Sequence, residues 1–444
     1  MTALCAAAKL DFMDPIFRAP RGVGGAYAPP ADKSITHRAL MLAAVAEGRS
    51  RVRRPLATGD CVSTRRCLEA LGARCADEGD SVVVDGVGLR GFREPSRTLD
   101  AENSGTTTRL LSGLLAGQQL FAVLSGDDSL IRRPMGRVVE PLRDMGARIE
   151  GRAAGRFAPL CFLPGNGDLQ PLDWEIPVPS AQVKSCLMLA ALRGSGPSTI
   201  RGRTASRDHT ERMLQALGAR VETEDSALRV HPADRLPGFD ARVPGDISSA
   251  AFFVATSLIS GRPLVLRDCG INPTRLGFIH AARRMGASVD VREAGASLGE
   301  PHGVLTVTPG ALRGTEVGPE EVPELIDEIP LLAVLGLFAR GVTRVSGAAE
   351  LRVKESDRLE MIARMVEGLG GKIEVGEDGF HVEGPQQLAT TGLVDPRGDH
   401  RIAMAAAVAS AGISGGVRVT GFDCSRVSYP DFVRDFTALG GEVA

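Results

Sequence analysis

Aromatic side chains are scarce in this sequence: they make up 4% of its 444 residues and include one Trp. Aromatic rings are the platforms on which proteins stack single-stranded nucleic acids and flipped bases. The net charge is −2, so an excess of basic residues that would attract a nucleic acid or an anionic membrane is missing as well. Both shortages argue against a nucleic-acid partner.

Long apolar runs and cysteine motifs are also missing. No stretch of about 18 apolar residues occurs, which argues against a membrane-spanning helix. The N-terminal segment MTALCAAAKLDFMDP has no basic start and predicts no signal peptide. None of the eight Cys residues forms a CxxC pair, so the sequence indicates neither a disulfide framework nor a zinc site. We therefore expect a cytoplasmic protein with buried, reduced thiols.

One pattern recurs six times along the chain, at intervals of about 70 residues. Each copy is the end of an amphipathic helix, which stops at Gly and is followed by alternating, β-branched sequence. The six endings are CLEALGARC, LRDMGARIE, MLQALGARVE, ARRMGASVDV, MVEGLGGKIEV and FTALGGEVA.

A second set of six segments lies between these endings and is rich in Ala and nearly uncharged. Helices that are apolar on all sides are buried, and each segment is followed by a short β-rich run. The sequence therefore predicts an α/β fold of six units, three per domain, with buried helices inside and sheets outside. We predict a first domain at 30–242 and a second at 243–444, joined by residues 1–29 so that the chain crosses twice.

Polar residues cluster just before the buried helices. Capping explains Ser, Asp and Asn there, but it does not require the basic residues Lys33, Arg38, Lys184, His400 and Arg401. If the helix N-termini converge on one cleft, their dipoles favour an anionic ligand, and Lys and Arg add phosphate and carboxylate contacts. Two basic loops, GDDSLIRRPMGR and TASRDHTER, supply further cations.

The stretch ELRVKESDRL places Lys354, Glu355 and Arg358 at the start of an amphipathic helix, with Ser356 or Asp357 as its N-cap. Asp327 begins a buried helix, where a carboxylate needs a partner. No metal-ligand spacing, Walker loop, GxGxxG or GxSxG motif is present. The residues thus indicate a metal-free anion-binding cleft with two candidate proton-transfer carboxylates.

Several of these residues also have a structural interpretation. Arg132 and Arg133 could be a solvated surface pair, and Arg207 could pair with Asp208 across a turn. His209 and His400 could be hydrogen-bonded structural histidines, which is the interpretation that we favour for His209.

Eight motifs follow one another from about residue 20 to 436: PADKSITHRAL, NSGTTTRL, GDDSLIRRPM, PSAQVKS, SRDHTERML, PELIDEIPLLA, LRVKESDRL and GDHRIAMA. Together they resemble the 5-enolpyruvylshikimate-3-phosphate synthase family. The resemblance implies a two-domain inverse α/β barrel of the enolpyruvyl transferase type. It implies transfer of the enolpyruvyl group of phosphoenolpyruvate to the 5-hydroxyl of shikimate 3-phosphate, through a tetrahedral ketal, with release of phosphate. This is a transferase step of aromatic amino-acid biosynthesis that needs no metal and no cofactor.

The resemblance also implies roles for individual residues. Asp327 would be the base on the acceptor hydroxyl, and Glu355 the proton carrier for carbon 3, assisted by Lys33. Shikimate 3-phosphate would contact Lys33, Ser34, Arg38, Ser180, Ala181, Gln182, Arg207, Asp327 and Lys354. Phosphoenolpyruvate would contact Lys33, Gly105, Arg133, Gln182, Arg358 and Arg401, with Asn103 and His400 in support. We expect a monomer with these two small-molecule substrates and with no nucleic-acid or membrane partner.

The chain departs from the family pattern at Val427, where some members carry a Lys that contacts phosphoenolpyruvate. One alternative is the related UDP-N-acetylglucosamine enolpyruvyl transferase family, which has the same fold and donor. That family carries Cys where this chain has Asp128, and Asn where it has Ser34. The other alternative is a non-catalytic sugar-phosphate-binding protein, which would not need both Asp327 and Glu355.

Overall fold

A computed structural model of the protein describes residues 14–165, 167–224 and 227–444. The first 13 residues, in which the sequence predicts no signal peptide, lie outside these ranges, and so does Cys5. The other seven cysteines are free thiols. Four of them are buried as predicted (Cys61, Cys67, Cys186 and Cys269), whereas the remaining three are only partly buried (Cys75, Cys161 and Cys424).

The strands of the described ranges form six four-stranded sheets that share one plan. In each sheet an edge strand runs parallel to the second strand, and the third and fourth strands are antiparallel to their neighbours. This shared topology confirms the six repeated units that the sequence predicts.

Three sheets are built from strands of residues 47–242. In spatial order they are Asp240–Arg242, Glu47–Arg53, Ser81–Val87 and Arg74–Glu78; then Leu99–Asp100, Ala122–Ser125, Phe157–Phe162 and Ile149–Gly151; then Asp173–Ile176, Ser198–Gly202, Ala227–Val230 and Val221–Glu224.

The other three sheets combine strands after residue 263 with the two strands near the N-terminus. They are Ser288–Ser297, Glu300–Thr308, Leu264–Gly270 and Gly25–Tyr27; then Glu316–Val317, Gly341–Val345, Phe380–Gly384 and Glu374–Val375; then Gly392–Val394, Val417–Val419, Ile16–Arg18 and Glu442–Val443.

The Ala-rich segments are helices whose side chains are buried on nearly all sides, because they carry almost no charge to keep in water. The helix Ile329–Phe338, for example, is buried from Ile329 through Leu337. The buried helices are Lys33–Val45, Gly105–Leu115, Ala181–Ala191, Ile247–Ser260, Ile329–Phe338 and His400–Ala409.

The amphipathic helices alternate with the buried ones along the chain and end as predicted at a glycine with positive φ. At Gly286 φ is +112°, and an added Cβ would lie 2.4 Å from the carbonyl oxygen of Ala311, so only glycine fits. These helices are Asp60–Ala70, Gly136–Asp144, His209–Ala216, Gly277–Arg284, Arg358–Gly368 and Phe432–Ala438. Short helical segments occur at Leu130–Arg132, Arg152–Gly155, Pro273–Arg275, Val322–Leu325, Ala349–Val353 and Phe422–Val427. Among helices in the described ranges, none combines the length and the apolar character needed to cross a membrane.

The core is divided into two hydrophobic clusters. One contains buried side chains from Ala31 to Val243, and the other joins Phe17 and Val23 to side chains from Ile247 onward. We call residues 30–242 the first half and the other described residues the second half.

The chain passes between the halves twice, and the two crossings pair with each other. Ala31 and Gly245 form an antiparallel bridge. The Asp32 N–H donates to the Pro244 carbonyl at 2.8 Å, and the Asp246 N–H donates to the Pro30 carbonyl at 2.7 Å. Asp32 and Asp246 then cap the helices that begin at Lys33 and Ile247, so each crossing leads directly into a buried helix.

Candidate active site

All of the buried helices listed above begin at one cleft between the two halves. Each contributes at least one lining residue at its start, and these residues are Lys33, Ser34, Gly105, Thr106, Ser180, Ala181, Gln182, Asp246, Asp327, His400 and Arg401. Backbone N–H groups in the first turn of a helix lack intrahelical partners, and the helix dipole adds partial positive charge there. The cleft is therefore suited to anions before any side-chain charge is counted.

The structure brings nearly every predicted site residue to this cleft. The lining includes Lys33, Ser34, Arg38, Gly105, Arg133, Ser180, Ala181, Gln182, Arg207, Asp327, Lys354, Glu355, Arg358, His400 and Arg401. There are two exceptions: Lys184 is buried against Glu211, and Asn103 lies behind Arg133. Its backbone oxygen accepts from Arg133 Nη1 at 3.2 Å, and its Oδ1 accepts from Nη2 at 2.5 Å.

Asp327 in the second half faces Arg207 in the first. Arg207 Nη2 donates to Asp327 Oδ2 at 2.6 Å, while Lys354 Nζ and Arg358 Nη1 lie 3.9 Å and 3.7 Å from Oδ1. Burial opposes the charge on this carboxylate, but Arg207 and the neighbouring cations outweigh burial and hold the pKa of Asp327 well below its usual value. Asp327 is therefore an ionised carboxylate that can accept a proton.

Two arginines hold Glu355 on its side of the cleft. Arg358 Nη2 donates to its Oε2 at 2.6 Å, and Arg133 Nη1 lies 3.9 Å from its Oε1. Burial again favours the neutral form, but Arg358, together with Arg133 and Lys354, outweighs it and lowers the pKa of Glu355 well below its usual value. A single guanidinium, that of Arg358, thus lies within 4 Å of both candidate proton-transfer carboxylates.

Arg358 is itself fixed from behind. Its side chain is 1% exposed, and its Nε donates to Asp399 Oδ2 at 2.9 Å. Asp399 is also the N-cap of the helix that begins at His400, where it accepts from the Arg401 N–H. One buried carboxylate therefore sets the position of two expected phosphoenolpyruvate ligands, Arg358 and Arg401.

Arg401 leaves its guanidinium available to a ligand. Within the described residues no acceptor hydrogen-bonds to it, and the nearest carboxylate oxygen, Glu328 Oε1, is 3.8 Å away. The Phe252 ring lies 6.0 Å from its central carbon, which adds a weak cation–π contact.

Lys33 and His400 lie close enough to influence each other electrostatically. Burial lowers the pKa of Lys33, but Asp60, 3.1 Å from its Nζ, outweighs burial and leaves the pKa raised, so Lys33 is a cation. Burial, with Lys33 and Arg401 nearby, lowers the pKa of His400 to about 3. His400 is therefore a neutral imidazole near neutral pH.

The remaining predicted residues line the first-half wall. Arg38 donates to Thr210 Oγ1 at 2.8 Å, to the Ser34 carbonyl at 3.0 Å and to Ser185 Oγ at 2.9 Å, and burial lowers its pKa to about 10. Ser180 caps the helix that begins at Ala181, since its hydroxyl accepts from the Val183 N–H. Arg38 is therefore largely committed to holding the wall together.

Gln182 and Gly105 bring the first-half wall close to two arginines. Gln182 Oε1 accepts from Arg109 Nη1 at 2.6 Å, and its Nε2 donates to Thr106 Oγ1 at 2.9 Å. A Cβ added at Gly105 would lie 2.9 Å from Arg109 Nη1 and 3.3 Å from Arg133 Nη1. The absence of a side chain at Gly105 lets both guanidinium groups approach the helix start.

Sequence reasoning missed several charged lining residues: Asp60, Arg109, Arg137, Asp246, Arg275 and Glu350. Arg109, Arg137 and Glu350 lie in the motifs NSGTTTRL, GDDSLIRRPMGR and ELRVKESDRL, and their position there is a signal that could have identified them. Arg137 Nη1 lies 3.2 Å from both carboxylate oxygens of Glu350, and this ion pair joins the first half to the second at the cleft. Asp60 and Arg275 carry no comparable local signal.

Two structural interpretations considered for basic residues are wrong. Arg133 is buried and not part of a solvated surface pair. Arg207 pairs with Asp327 and not with Asp208, whose carboxylate instead accepts from Arg212 Nε at 2.8 Å. The structural interpretation of His209 is confirmed, since it is buried and its Nδ1 lies 2.8 Å from Glu300 Oε1.

Val427 cannot supply the positive charge of the Lys that some family members carry at this position. The backbone of Val427 packs against Gly59, the residue before Asp60. A Cβ added at Gly59 would lie 2.8 Å from the Val427 carbonyl oxygen. Throughout the described ranges no group of three or more His, Cys, Asp or Glu residues has metal-binding geometry.

Comparison with known proteins points to one family. The family model for EPSP synthase (3-phosphoshikimate 1-carboxyvinyltransferase) matches residues 18–436. The 3-phosphoshikimate 1-carboxyvinyltransferase of Bacillus cytotoxicus is 43% identical over 423 residues, which is 95% of this chain and 99% of that protein. The protein of the same name from Synechococcus sp. is 47% identical over 421 residues, covering 93% of this chain and 94% of its own.

Solved structures agree on the fold. EPSP synthase from Acinetobacter baumannii superposes with a TM-score of 0.85 at 36% identity, over 97% of this chain and 99% of that one. The enolpyruvyl transferase NikO from Streptomyces tendae has a TM-score of 0.76 at 20% identity, over 97% and 98% of the two chains, and supports the fold alone. The six sheets, the buried helices and these neighbours together establish the two-domain inverse α/β barrel expected from the sequence. With a family model and relatives that span almost its whole length, this chain belongs to the EPSP synthase family.

Proposed function

We propose that the protein transfers the enolpyruvyl group of phosphoenolpyruvate to the 5-hydroxyl of shikimate 3-phosphate. The acceptor oxygen forms a bond to carbon 2 of the donor and loses its proton, while carbon 3 gains a proton. The resulting tetrahedral ketal then loses phosphate from carbon 2 and a proton from carbon 3, which restores the double bond. The observation that carries the proposal is the pair of carboxylates, Asp327 and Glu355, which both lie within 4 Å of the Arg358 guanidinium in a cationic cleft.

Asp327 is the proposed base on the acceptor hydroxyl. It is ionised, and its partner Arg207 is the proposed ligand of the acceptor phosphate. An incoming phosphate group competes with Asp327 for Arg207, since both are anions that bind guanidinium well. Ser34, Arg38, Ser180, Ala181, Gln182 and Lys354 also line the cleft and would contact the rest of the acceptor.

Glu355 is the proposed proton carrier for carbon 3, with Lys33 in support. Arg133, Arg358 and Arg401 would hold phosphoenolpyruvate, with Gly105 giving it room and Gln182 contacting both substrates. Two bound anions share the cations that lower the pKa of Glu355, so this pKa rises when the substrates bind. The same cations stabilise negative charge that develops as phosphate leaves.

We also propose that residues 30–242 form the shikimate-3-phosphate-binding domain and that 243–444 with 1–29 form the second. The two hydrophobic clusters and the pairing of Ile16–Arg18 and Gly25–Tyr27 with second-half strands support this division. One chain supplies the whole cleft, which supports a monomer. Free thiols at all described cysteines support a reducing, cytoplasmic setting.

Phosphate release from phosphoenolpyruvate tests this function, in reactions that contain shikimate 3-phosphate or UDP-N-acetylglucosamine as acceptor and no added metal. Release with shikimate 3-phosphate alone is the expected result. Release with the sugar nucleotide alone would mean that the acceptor is wrong and the donor right. A folded protein that binds shikimate 3-phosphate but releases phosphate with neither acceptor would be a binding protein.

A further inference from the structure

A polar network of three buried residues and one partly exposed residue joins the loop that carries Arg207 to the second half. Its members are Asp208 and His209 from the first half and Asn272 and Glu300 from the second, and we call these four residues the hinge network. Asn272, Glu300 and His209 are 3%, 1% and 1% exposed. None of these residues lines the cleft.

Asn272 is the centre of the network. Its Nδ2 donates to Asp208 Oδ1 at 2.7 Å and to Glu300 Oε2 at 3.1 Å. Glu300 Oε1 lies 2.8 Å from His209 Nδ1, so Glu300 holds two donors, one from each half. Within the described residues His209 Nε2 has no hydrogen-bond partner, so Nδ1 alone joins the ring to the second half.

The two backbones approach closely beside this network. A Cβ added at Gly299 would lie 2.5 Å from the Arg212 carbonyl oxygen, and Gly299 has a φ of +78°. The helix His209–Ala216, which directly follows the Arg207 loop, therefore lies against the turn that precedes the second-half strand Glu300–Thr308.

The other side of the Arg207 loop is fixed within the first half. Lys184 Nζ donates to the Thr204 and Ser206 carbonyls at 3.0 and 3.2 Å and lies 2.6 Å from Glu211 Oε1. Arg207 is thus held between an anchor on its N-terminal side, from its own half, and the hinge network on its C-terminal side, from the other half.

We propose that Asn272 and Glu300 are positioning residues that align Arg207 for the acceptor phosphate. The inference rests on the proposed function, in which Arg207 binds that phosphate. Because the alignment is set from the second half, acceptor affinity depends on contacts outside the cleft. A displacement of about 1 Å in a substrate-holding group can lower the rate by about 100-fold.

Glu300→Gln tests this with almost no change of shape. The amide can accept from only one of the two donors, so its N–H₂ group faces either Asn272 or His209. We expect the KM for shikimate 3-phosphate to rise about tenfold or more and the KM for phosphoenolpyruvate to change less than about twofold. Asn272→Ser is a second variant, since a serine hydroxyl can still cap the Thr274 N–H but cannot link Asp208 to Glu300.

The matched control is Asp268→Asn. Asp268 also joins the halves, through Arg54 Nη1 at 2.8 Å, but it has no contact with the Arg207 loop. It should leave both KM values unchanged, even if the melting temperature falls.

A double-mutant cycle separates positioning from general destabilisation. In an Arg207→Ala background, Glu300→Gln should raise the acceptor KM by less than about twofold, because the residue that it positions is gone. An unchanged acceptor KM in both hinge variants, or the same rise with and without Arg207, would overturn the inference. If the wild-type protein turns over shikimate 3-phosphate in either case, the proposed function stands and only the positioning role fails. A wild-type protein without that turnover would overturn both.

Discussion

Arg207 and Asp327 meet across the cleft with 2.6 Å between Nη2 and Oδ2, although 120 residues separate them in the chain. Arg207, proposed to bind the acceptor phosphate, therefore hydrogen-bonds directly to Asp327, proposed to deprotonate the acceptor hydroxyl. A substrate that draws Arg207 to its phosphate also frees Asp327 beside its hydroxyl.

Asp327→Asn should retain binding of phosphoenolpyruvate and lose turnover. The amide has nearly the same shape but cannot accept the proton, and loss of a general base lowers the rate about 10²–10⁴-fold. Steady-state phosphate release and calorimetric binding of phosphoenolpyruvate measure the two effects. Turnover at the wild-type rate would exclude Asp327 as the base.

Glu355→Gln should abolish exchange of the carbon-3 protons. In D₂O the wild-type enzyme, with both substrates, should incorporate deuterium at carbon 3 of the donor, because addition and elimination pass through a methyl group. We expect the variant to bind shikimate 3-phosphate with its affinity changed less than about threefold. Equal loss of acceptor binding and exchange would contradict the role of Glu355 as proton carrier.

Gly105→Ala should weaken the binding of phosphoenolpyruvate more than the binding of shikimate 3-phosphate. The new methyl group would come within 2.9 Å of Arg109 Nη1 and 3.3 Å of Arg133 Nη1, so both guanidinium groups must move. A rise of about tenfold in the KM for phosphoenolpyruvate, near 1.4 kcal/mol, is expected. Gly146→Ala provides a control for the assay, since no atom lies within 4 Å of a Cβ there, although its positive φ adds strain. An unchanged donor KM in Gly105→Ala would show that the two arginines adjust freely.

Asp399→Asn should destabilise the second half. Arg358 and Asp399 have side chains that are 1% and 0% exposed, and removing one partner of a buried pair costs about 3–5 kcal/mol. Urea unfolding at neutral pH measures the loss. The exposed pair of Arg364 and Glu360 is the comparison, and Glu360→Gln should change the free energy of unfolding by less than about 1 kcal/mol. A similar small loss in Asp399→Asn would mean that Arg358 finds another partner.

The protein should lose stability as the pH falls from about 6.5 towards 3. Burial, which outweighs nearby charges, lowers the pKa of His37 to about 3, so the folded protein keeps this ring neutral where the unfolded chain binds a proton. The free energy of unfolding therefore falls by up to about 1.4 kcal/mol per pH unit for this residue across that window. Unfolding of His37→Gln at several pH values should show a shallower slope. An identical slope would assign the acid sensitivity to other groups.

The repeated architecture could be predicted because its signals are local. Glycine ends each amphipathic helix, and an uncharged Ala-rich segment such as 400–412 predicts burial from composition alone. The N-terminal motifs of the buried helices then pointed to the cleft, since the starts of inward-facing helices meet there.

The ion pairs of the cleft could not be predicted, because they join residues far apart in sequence. Arg137 and Glu350 are separated by 213 residues, and Lys33 and Asp60 belong to different helices. The pairing of Arg207 with Asp327 rather than its neighbour Asp208 depends on how the halves are packed, and no periodicity in the sequence records that packing.

The paired crossings at Ala31 and Gly245 limit how the two halves can move relative to each other. A single connection would let one half rotate about it, but two crossing segments joined by the Ala31–Gly245 bridge and by backbone hydrogen bonds restrict that rotation. Opening of the cleft should therefore be a hinge rotation about the two crossings. The hinge network joins residues of both halves, so closure of the cleft should return Arg207 to the same place.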